Sequence, residues 1–211
     1  MRLVPSNVRD STAGGSSFYG KAVFNVKILF IRHGSTAGNL EKRYIGRTDE
    51  PLCAEGTAQL KTLMLPSCEI VVCSPMKRCI QTAEILFPKC VYLVSEELSE
   101  CDFGDFEGKN YSELSGDPYY QSWIDSGGTL PFPNGEVPSD FRRRCAAAFE
   151  SIIKNFESSE NVAFVVHGGT IMSILEKYSV PHRDYFDLQC KNGHGFVCEW
   201  DKKILVITEE I

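Results

Sequence analysis

The sequence predicts an α/β domain built as a three-layer sandwich, with a mainly parallel central sheet and helices on both faces. Three observations carry that prediction. Short apolar runs at 26–31, 70–73 and 162–166 read as strands buried on both faces, which is the habit of parallel sheets. Helical patterns separate them, and each run ends in polar or glycine-containing segments. Two further runs, 196–200 and 204–208, flank Asp201, Lys202 and Lys203 and read as a closing hairpin.

The elements follow in order. Residues 1–25 contain STAGGSSFYG, small and polar without sustained periodicity, and read as a flexible or loosely docked N-terminal extension to a domain spanning 26–211. Within it GSSFYGK (15–21) fits the GxxxxGK skeleton of a phosphate-binding loop. No apolar strand precedes it, and Ala22 stands where a hydroxyl would hold magnesium, so the match is read as accidental. Helices are expected at 54–65 and 75–87, the second with a Ser74 cap and Pro75 in its first turn. The segment 104–138 is aromatic, glycine-rich and proline-rich, and reads as a small insertion over one end of the domain. In the following helix, 139–156, Phe141, Cys145, Ala148, Phe149, Ile152, Ile153 and Phe156 share one face, most simply a core face.

Composition narrows the function. With 211 residues, 43% hydrophobic, 24% charged and a formal net charge of -6, the chain is an ordinary globular protein ill suited to general binding of nucleic acid or anionic membrane. Any anion site must be a local concentration of positive charge. No apolar stretch approaches a membrane span and no signal-peptide pattern is present, so a cytoplasmic location is expected. Nine cysteines without CxxC spacing read as reduced core thiols. Cys190, His194 and Cys198 are loosely spaced like metal ligands but lack an evident fourth, and no metal or cofactor is expected.

In open α/β sheets ligands bind beyond the carboxyl ends of the strands. After the first run come Arg32, His33, Gly34 and Ser35; after the second Ser74, Pro75 and Arg78; after the third His167, Gly168 and Gly169. Singly, His167 is a satisfied polar residue and Arg78 a surface residue on an amphipathic helix. Together at equivalent strand ends they describe an anion site, best matched to phosphate, whose oxygens pair with the arginine fork and with backbone N–H groups opening a helix.

RHGSTAGN (32–39), SPMKRCIQTAE (74–84), LSECDFGDFEG (98–108) and VVHGGTI (165–171) together resemble, in order and spacing, the four signatures of the histidine phosphatase superfamily, with its phosphoglycerate mutase-like fold. The resemblance implies that His33 is the nucleophile that forms a phosphohistidine, with its other ring nitrogen donating to a backbone carbonyl or similar acceptor. It implies that Arg32, Arg78 and His167 hold the phosphoryl oxygens, with Ser35, Asn39 and the Gly168 amide beside them in substrate binding. Glu100 matches the family's acid, with Asp102, Asp105 and Glu107 as rival carboxylates.

The short chain, YIGRTDEPLCAEG (44–56) and PNGE (133–136) before an arginine-rich helix are most similar to the α-ribazole phosphatase branch. That branch implies a small phosphorylated metabolite of cobalamin assembly as substrate, with Tyr111, Tyr119, Tyr120, Trp123 or Phe132 available to face the leaving group or to form the core of the insertion. A broad-specificity phosphatase, a mutase-type phosphotransferase and a catalytically silent phospho-ligand binder are the alternatives. Cys53, where relatives often have Thr, and Phe106, where Trp is common, depart from the family pattern.

Overall fold

The computed structural model describes residues 26–156 and 161–211. The expected N-terminal extension and the GSSFYGK match lie outside the described residues. The three apolar runs become β1 (Val26–Arg32), β2 (Ile70–Cys73) and β4 (Asn161–Val166), and the closing hairpin becomes β5 (Gly195–Trp200) and β6 (Leu205–Glu210). A further strand, β3 (Val91–Val94), completes a six-stranded sheet ordered β3-β2-β4-β1-β5-β6. The β3–β2, β2–β4 and β4–β1 pairs are parallel, while β1–β5 and β5–β6 are antiparallel.

Alternation along the central strands explains the three layers. Ile28, Phe30, Val162, Phe164 and Val166 enter one apolar cluster, with Phe149 and Ile153 of α5 (Pro138–Ile153) and Ile171 and Ile174 of α6 (Gly168–Tyr178). Their neighbours Leu29, Ile31, Ala163 and Val165 enter the other, with Cys79 and Ala83 of α3 (Lys77–Leu86). Each strand therefore buries both faces, which is why its sequence reads as a continuous apolar run rather than as an alternating one. Among the described residues no helix is long and apolar enough to cross a membrane.

Several boundaries differ from expectation for local reasons. After the one-turn α1 (Ala37–Leu40), the helix expected at 54–65 closes as α2 (Ala54–Leu60), because the Thr62 and Leu63 amides turn back to the Gln59 and Leu60 carbonyls. Its N-cap is Cys53, whose sulfur accepts from the Gly56 amide at 3.3 Å, so this departure sits in a capping role. The expected Ser74 cap is a correction: α3 starts at Lys77 with Met76 as N-cap and no side-chain cap bond. Ser74 is instead drawn to His167, as described below. The strand β3 was not foreseen, since four residues too short to show a period separate a helix from the acidic motif.

The segment 104–138 carries α4 (Pro118–Asp125), capped by the Asp117 carboxylate on the Tyr119 and Tyr120 amides. Phe106 is its hub, with the rings of Tyr44, Tyr120, Trp123 and Phe132 at centroid separations between 5.3 and 6.1 Å. Of the five aromatics considered for the leaving group, Tyr120 and Phe132 are buried, Trp123 is half-buried, and Tyr111 and Tyr119 are exposed. The segment is pinned at Gly104, whose φ of 52° and contact with the Pro133 carbonyl leave no space for a Cβ.

Candidate active site

Beyond the carboxyl edge of β1, the buried His33 ring places Nδ1 2.7 Å from the Gly34 carbonyl oxygen. A carbonyl only accepts, so Nδ1 carries the proton and Nε2 keeps a free lone pair. Burial lowers the imidazole pKa well below its ordinary value, and the Arg78 and Arg32 charges lower it further. The loop is braced from behind: the Gly34 amide donates to Thr82 Oγ1, and the Asn192 side-chain amide donates to the His33 carbonyl.

Arg78, on the first turn of α3, is fully buried. Its Nη1 and Nη2 donate at 2.8 Å to the Thr48 and Gly46 carbonyls, and its Nε donates at 3.3 Å to His167 Nδ1. His167 Nε2 in turn donates to Ser74 Oγ at 2.8 Å. The two histidine rings stand 5.2 Å apart, nearly edge to face, and hold opposite tautomers. Burial and the neighbouring cations lower the pKa of His167 as well, which keeps it neutral. Both of its ring nitrogens already have protein partners.

Glu100 reaches the same place from the loop after β3. One carboxylate oxygen accepts from the Cys101 amide at 3.0 Å and the other from the Gly169 amide at 3.2 Å. Burial outweighs these bonds and raises its pKa, favouring the protonated acid. Gly169 permits the approach: a Cβ there would stand 2.5 Å from the carboxylate and 3.0 Å from the Phe141 ring. None of the rival carboxylates lines the cavity that Glu100 faces. Asp102 accepts from the Gly104 amide, Asp105 from Asn134, and Glu107 from the Gly46 and Thr48 amides.

The remaining predicted site residues divide. Arg32 is half-buried, donates to the Cys190 carbonyl at 2.8 Å, and leaves its buried Nε without a partner. Gly168 opens the eleven-residue α6 directly against the Arg32 guanidinium. Asn39 uses its side-chain oxygen to accept from the Thr36 amide and from Asn192, which orients its amide nitrogen away from both. Ser35 is tied toward α2 through its carbonyl, which accepts from the Cys53 amide, and it does not line the cavity.

That cavity, of about 390 Å³, opens beside Arg32, Glu100 and Gly168. Its walls are aromatic: Tyr44, Phe103, Trp123, Phe132, Phe141, Tyr185 and Phe186 all contribute. Two polar side-chain atoms buried without partners, Arg32 Nε and Trp123 Nε1, belong to residues of its lining. Among the described residues no cluster of His, Cys, Asp and Glu is arranged to hold a metal ion, the group Cys190, His194 and Cys198 included.

The family model "Histidine phosphatase superfamily (branch 1)" matches residues 28–209. The chain belongs to that superfamily. Among its relatives, the 2,3-bisphosphoglycerate-dependent phosphoglycerate mutase 2 of Gloeobacter violaceus is 29% identical over 70% of this chain and 73% of its own length. The adenosylcobalamin/alpha-ribazole phosphatase of Escherichia coli is 26% identical over 72% of this chain and 78% of its own. In fold, the chain is similar to the crystal structure of a putative alpha-ribazole-5'-P phosphatase from Escherichia coli, with a TM-score of 0.78 over 88% of this chain and 95% of that one, at 24% identity.

Three supports of this candidate site were missed by sequence reasoning. Glu107, weighed only as a rival acid, gathers the amides of the very loop whose carbonyls hold Arg78. Arg144 forms a two-bond pair with Glu136 and donates to the Glu97 and Ser99 carbonyls, anchoring the chain just before Glu100. The PNGE run is where Glu136 resides, so a stretch read only as a branch signature is the brace of the acid loop. Asn192, which ties His33 to Asn39, comes from a distant loop with no motif of its own.

Proposed function

We propose that residues 26–211 act as a phosphomonoester hydrolase that works through a phosphohistidine on His33. The observation that carries this reading is the Nδ1–H bond to the Gly34 carbonyl, which leaves Nε2 unprotonated beside two arginines and a carboxyl whose pKa burial raises. In the first step Nε2 attacks phosphorus, the bond from phosphorus to the ester oxygen breaks, and Glu100 gives its proton to the departing oxygen. In the second step Glu100, now a carboxylate, takes a proton from a water as it attacks phosphorus. The P–N bond breaks, phosphate leaves and both residues return to their starting states.

Arg32 and the N-terminus of α6 supply donors to the phosphoryl oxygens, with Arg32 Nε and the Gly168 amide the nearest to hand. Arg78 adds its charge from below, and Asn39 and Ser35 flank the turn. His167 holds Arg78 and Ser74 in place, and a direct bond from it to the phosphoryl group requires the ring to give up one of those partners. Such a concentration of charge is needed, because phosphomonoester hydrolysis calls for accelerations up to ~10²¹, of which a general acid supplies only about 10²–10⁴. Preorganised cations and the covalent intermediate provide the rest.

For the substrate, the reading is a 5'-phosphate of α-ribazole or a related cobalamin precursor. Support comes from the name of the Escherichia coli relative and from an aromatic cavity suited to a flat leaving group. A screen of α-ribazole phosphate, 3-phosphoglycerate, phosphoserine and nucleoside monophosphates tests it. Preference for α-ribazole phosphate is expected. Higher kcat/KM on the others would replace the substrate while keeping the chemistry, and phosphoryl transfer to a sugar phosphate in place of water would make the chain a mutase.

A further inference from the structure

Three consecutive arginines of α5 meet three different fates, because successive side chains leave a helix about 100° apart. Arg143 stands in solvent and pairs with Asp140 at 2.6 Å. Arg144 braces the acid loop through Glu136. Arg142 lines the aromatic cavity, together with Glu100 and Arg32. Its guanidinium lies over the Tyr185 ring, with Cζ 3.8 Å from the centroid, and its Nη1 donates at 3.2 Å to both carboxylate oxygens of Glu176 on α6. The chemistry proposed above uses neither Arg142 nor Glu176.

That pairing spends one nitrogen and leaves an edge. Nε and Nη2 share the other side of the planar group, and among the described residues they donate to no protein acceptor. This is an edge from which arginine makes two parallel hydrogen bonds to a pair of neighbouring oxygens. The Tyr185 ring beneath and the Glu176 carboxylate at the end hold the group in one plane, and its side chain is only 28% exposed. A donor pair fixed in advance gives up little freedom when a ligand arrives.

We propose that Arg142 is a specificity-determining residue of this cavity, donating from Nε and Nη2 to two adjacent hydroxyl oxygens of the leaving group, so that the preferred substrates are phosphate esters carrying a vicinal diol, as a ribose does. The inference rests on the hydrolase reading above and sharpens its substrate class. Charge selects the diol over the other two-oxygen ligand, a carboxylate. Glu176 already neutralises the guanidinium, and Glu100 faces the same cavity, so a carboxylate would bring a further anion to a cation that is spoken for. Hydroxyl oxygens accept both bonds and bring no charge. The aromatic walls beside Arg142 suit the flat base that a ribose carries.

Adenosine 5'-monophosphate and its 2'-deoxy and 2',3'-dideoxy counterparts test this, with circular dichroism as the control for folding. In the wild type kcat/KM is expected to fall about tenfold with each hydroxyl removed. In Arg142→Met, which keeps the length and loses the fork, the three esters should converge to within about threefold, through KM rather than kcat. Arg142→Lys, a single flexible donor, should restore dependence on one hydroxyl at most. Glu176→Gln keeps an acceptor for Nη1 and unmasks the cation, and should raise kcat/KM on phosphoserine about tenfold. The affinities of the three esters for the His33→Ala chain, read by calorimetry, should follow the same order. A wild type that treats the esters alike overturns the proposal, as does a folded Arg142→Met chain that still discriminates. Preference for phosphoserine over adenosine 5'-monophosphate, lost in Arg142→Met, would assign the edge to a carboxylate and overturn it too, and so would Glu176→Gln without the gain. A wild type inert on nitrophenyl phosphate sinks the hydrolase reading instead, and the calorimetric order then decides the role of Arg142.

Discussion

The proposed phosphoryl cradle and the cavity beside it are built by different means. The cradle is made of residues that follow β1, β2 and β4, strands held in a parallel ladder with both faces buried, so Arg32, His33, Arg78 and His167 inherit the rigidity of the core. Most of the cavity walls come from loops and short helices: Tyr44 from the loop before α2, Phe103, Trp123 and Phe132 from the middle of the chain, and Tyr185 and Phe186 from near its end, with Phe141 added from α5. Hydrogen bonds fix the first region and ring packing the second. The lesson is that the chemistry and the selectivity proposed for this chain fall to separable parts, one specified by backbone position and one by side-chain shape.

The largest expected break falls in the cradle. His33→Ala should lower kcat by at least ~10³-fold and abolish the acid-labile phosphoenzyme, as measured by rapid quench with labelled substrate. Retention of a labelled histidine in that variant would move the nucleophile elsewhere. Glu100→Gln should cost about 10²–10⁴ in kcat on an alkyl phosphate and far less on nitrophenyl phosphate, whose leaving group needs no proton.

The pH profile follows from the same pair. Burial raises the Glu100 pKa, so the protonated acid persists into a higher range than usual and activity should fall as pH rises through that raised value. Burial and the arginines lower the His33 pKa, so the acid-side loss should come only below the ordinary imidazole range. Removal of the alkaline limb in Glu100→Gln is the expected signature. An unchanged limb would assign it to another group.

Smaller effects sharpen the division. Glu107→Ala should cost about 10–100-fold in kcat/KM by loosening the loop that holds Arg78, and Glu107→Gln, whose amide oxygen can accept both backbone bonds, should recover most of it. In the cavity, Trp123→Phe keeps an aromatic ring but removes the N–H together with part of the indole, and about a tenfold loss of kcat/KM confined to aromatic leaving groups is expected. An equal loss on small alkyl phosphates would merge the two regions into one. Smallest, Cys53→Thr replaces a weak sulfur acceptor with a hydroxyl at the α2 N-cap, and should raise stability by about 0.5–1 kcal/mol with activity unchanged, read by thermal melting.

What was legible in the chain tracks this same division. Buried parallel strands leave uninterrupted apolar runs, and the groups they deliver follow within a few residues, so His33, Arg78 and His167 could be named from the strand ends, whereas Glu100, which follows the exposed β3, could be named only from the family's acidic signature. The supports could not. Glu107 acts through the amides of residues 46 and 48, Arg144 through the carbonyls of 97 and 99, and Asn192 through a carbonyl more than a hundred and fifty residues away. Ser74 shows the cost of local reasoning: serine before proline is a fair helix cap in isolation, and in the fold its hydroxyl is claimed by His167 from the neighbouring strand end.

By itself the sequence determined the layered α/β class, the strand ends at which the candidate site gathers and the identity of the groups brought together there, because local periodicity and short motifs encode what adjacent residues do. Only the tertiary structure decided which carbonyl fixes the anticipated His33 tautomer, the opposite tautomer of His167, the raised pKa of Glu100 and the aromatic shape of the cavity. Each of these depends on which distant groups remove water from a side chain or offer it a partner, and that is settled by packing.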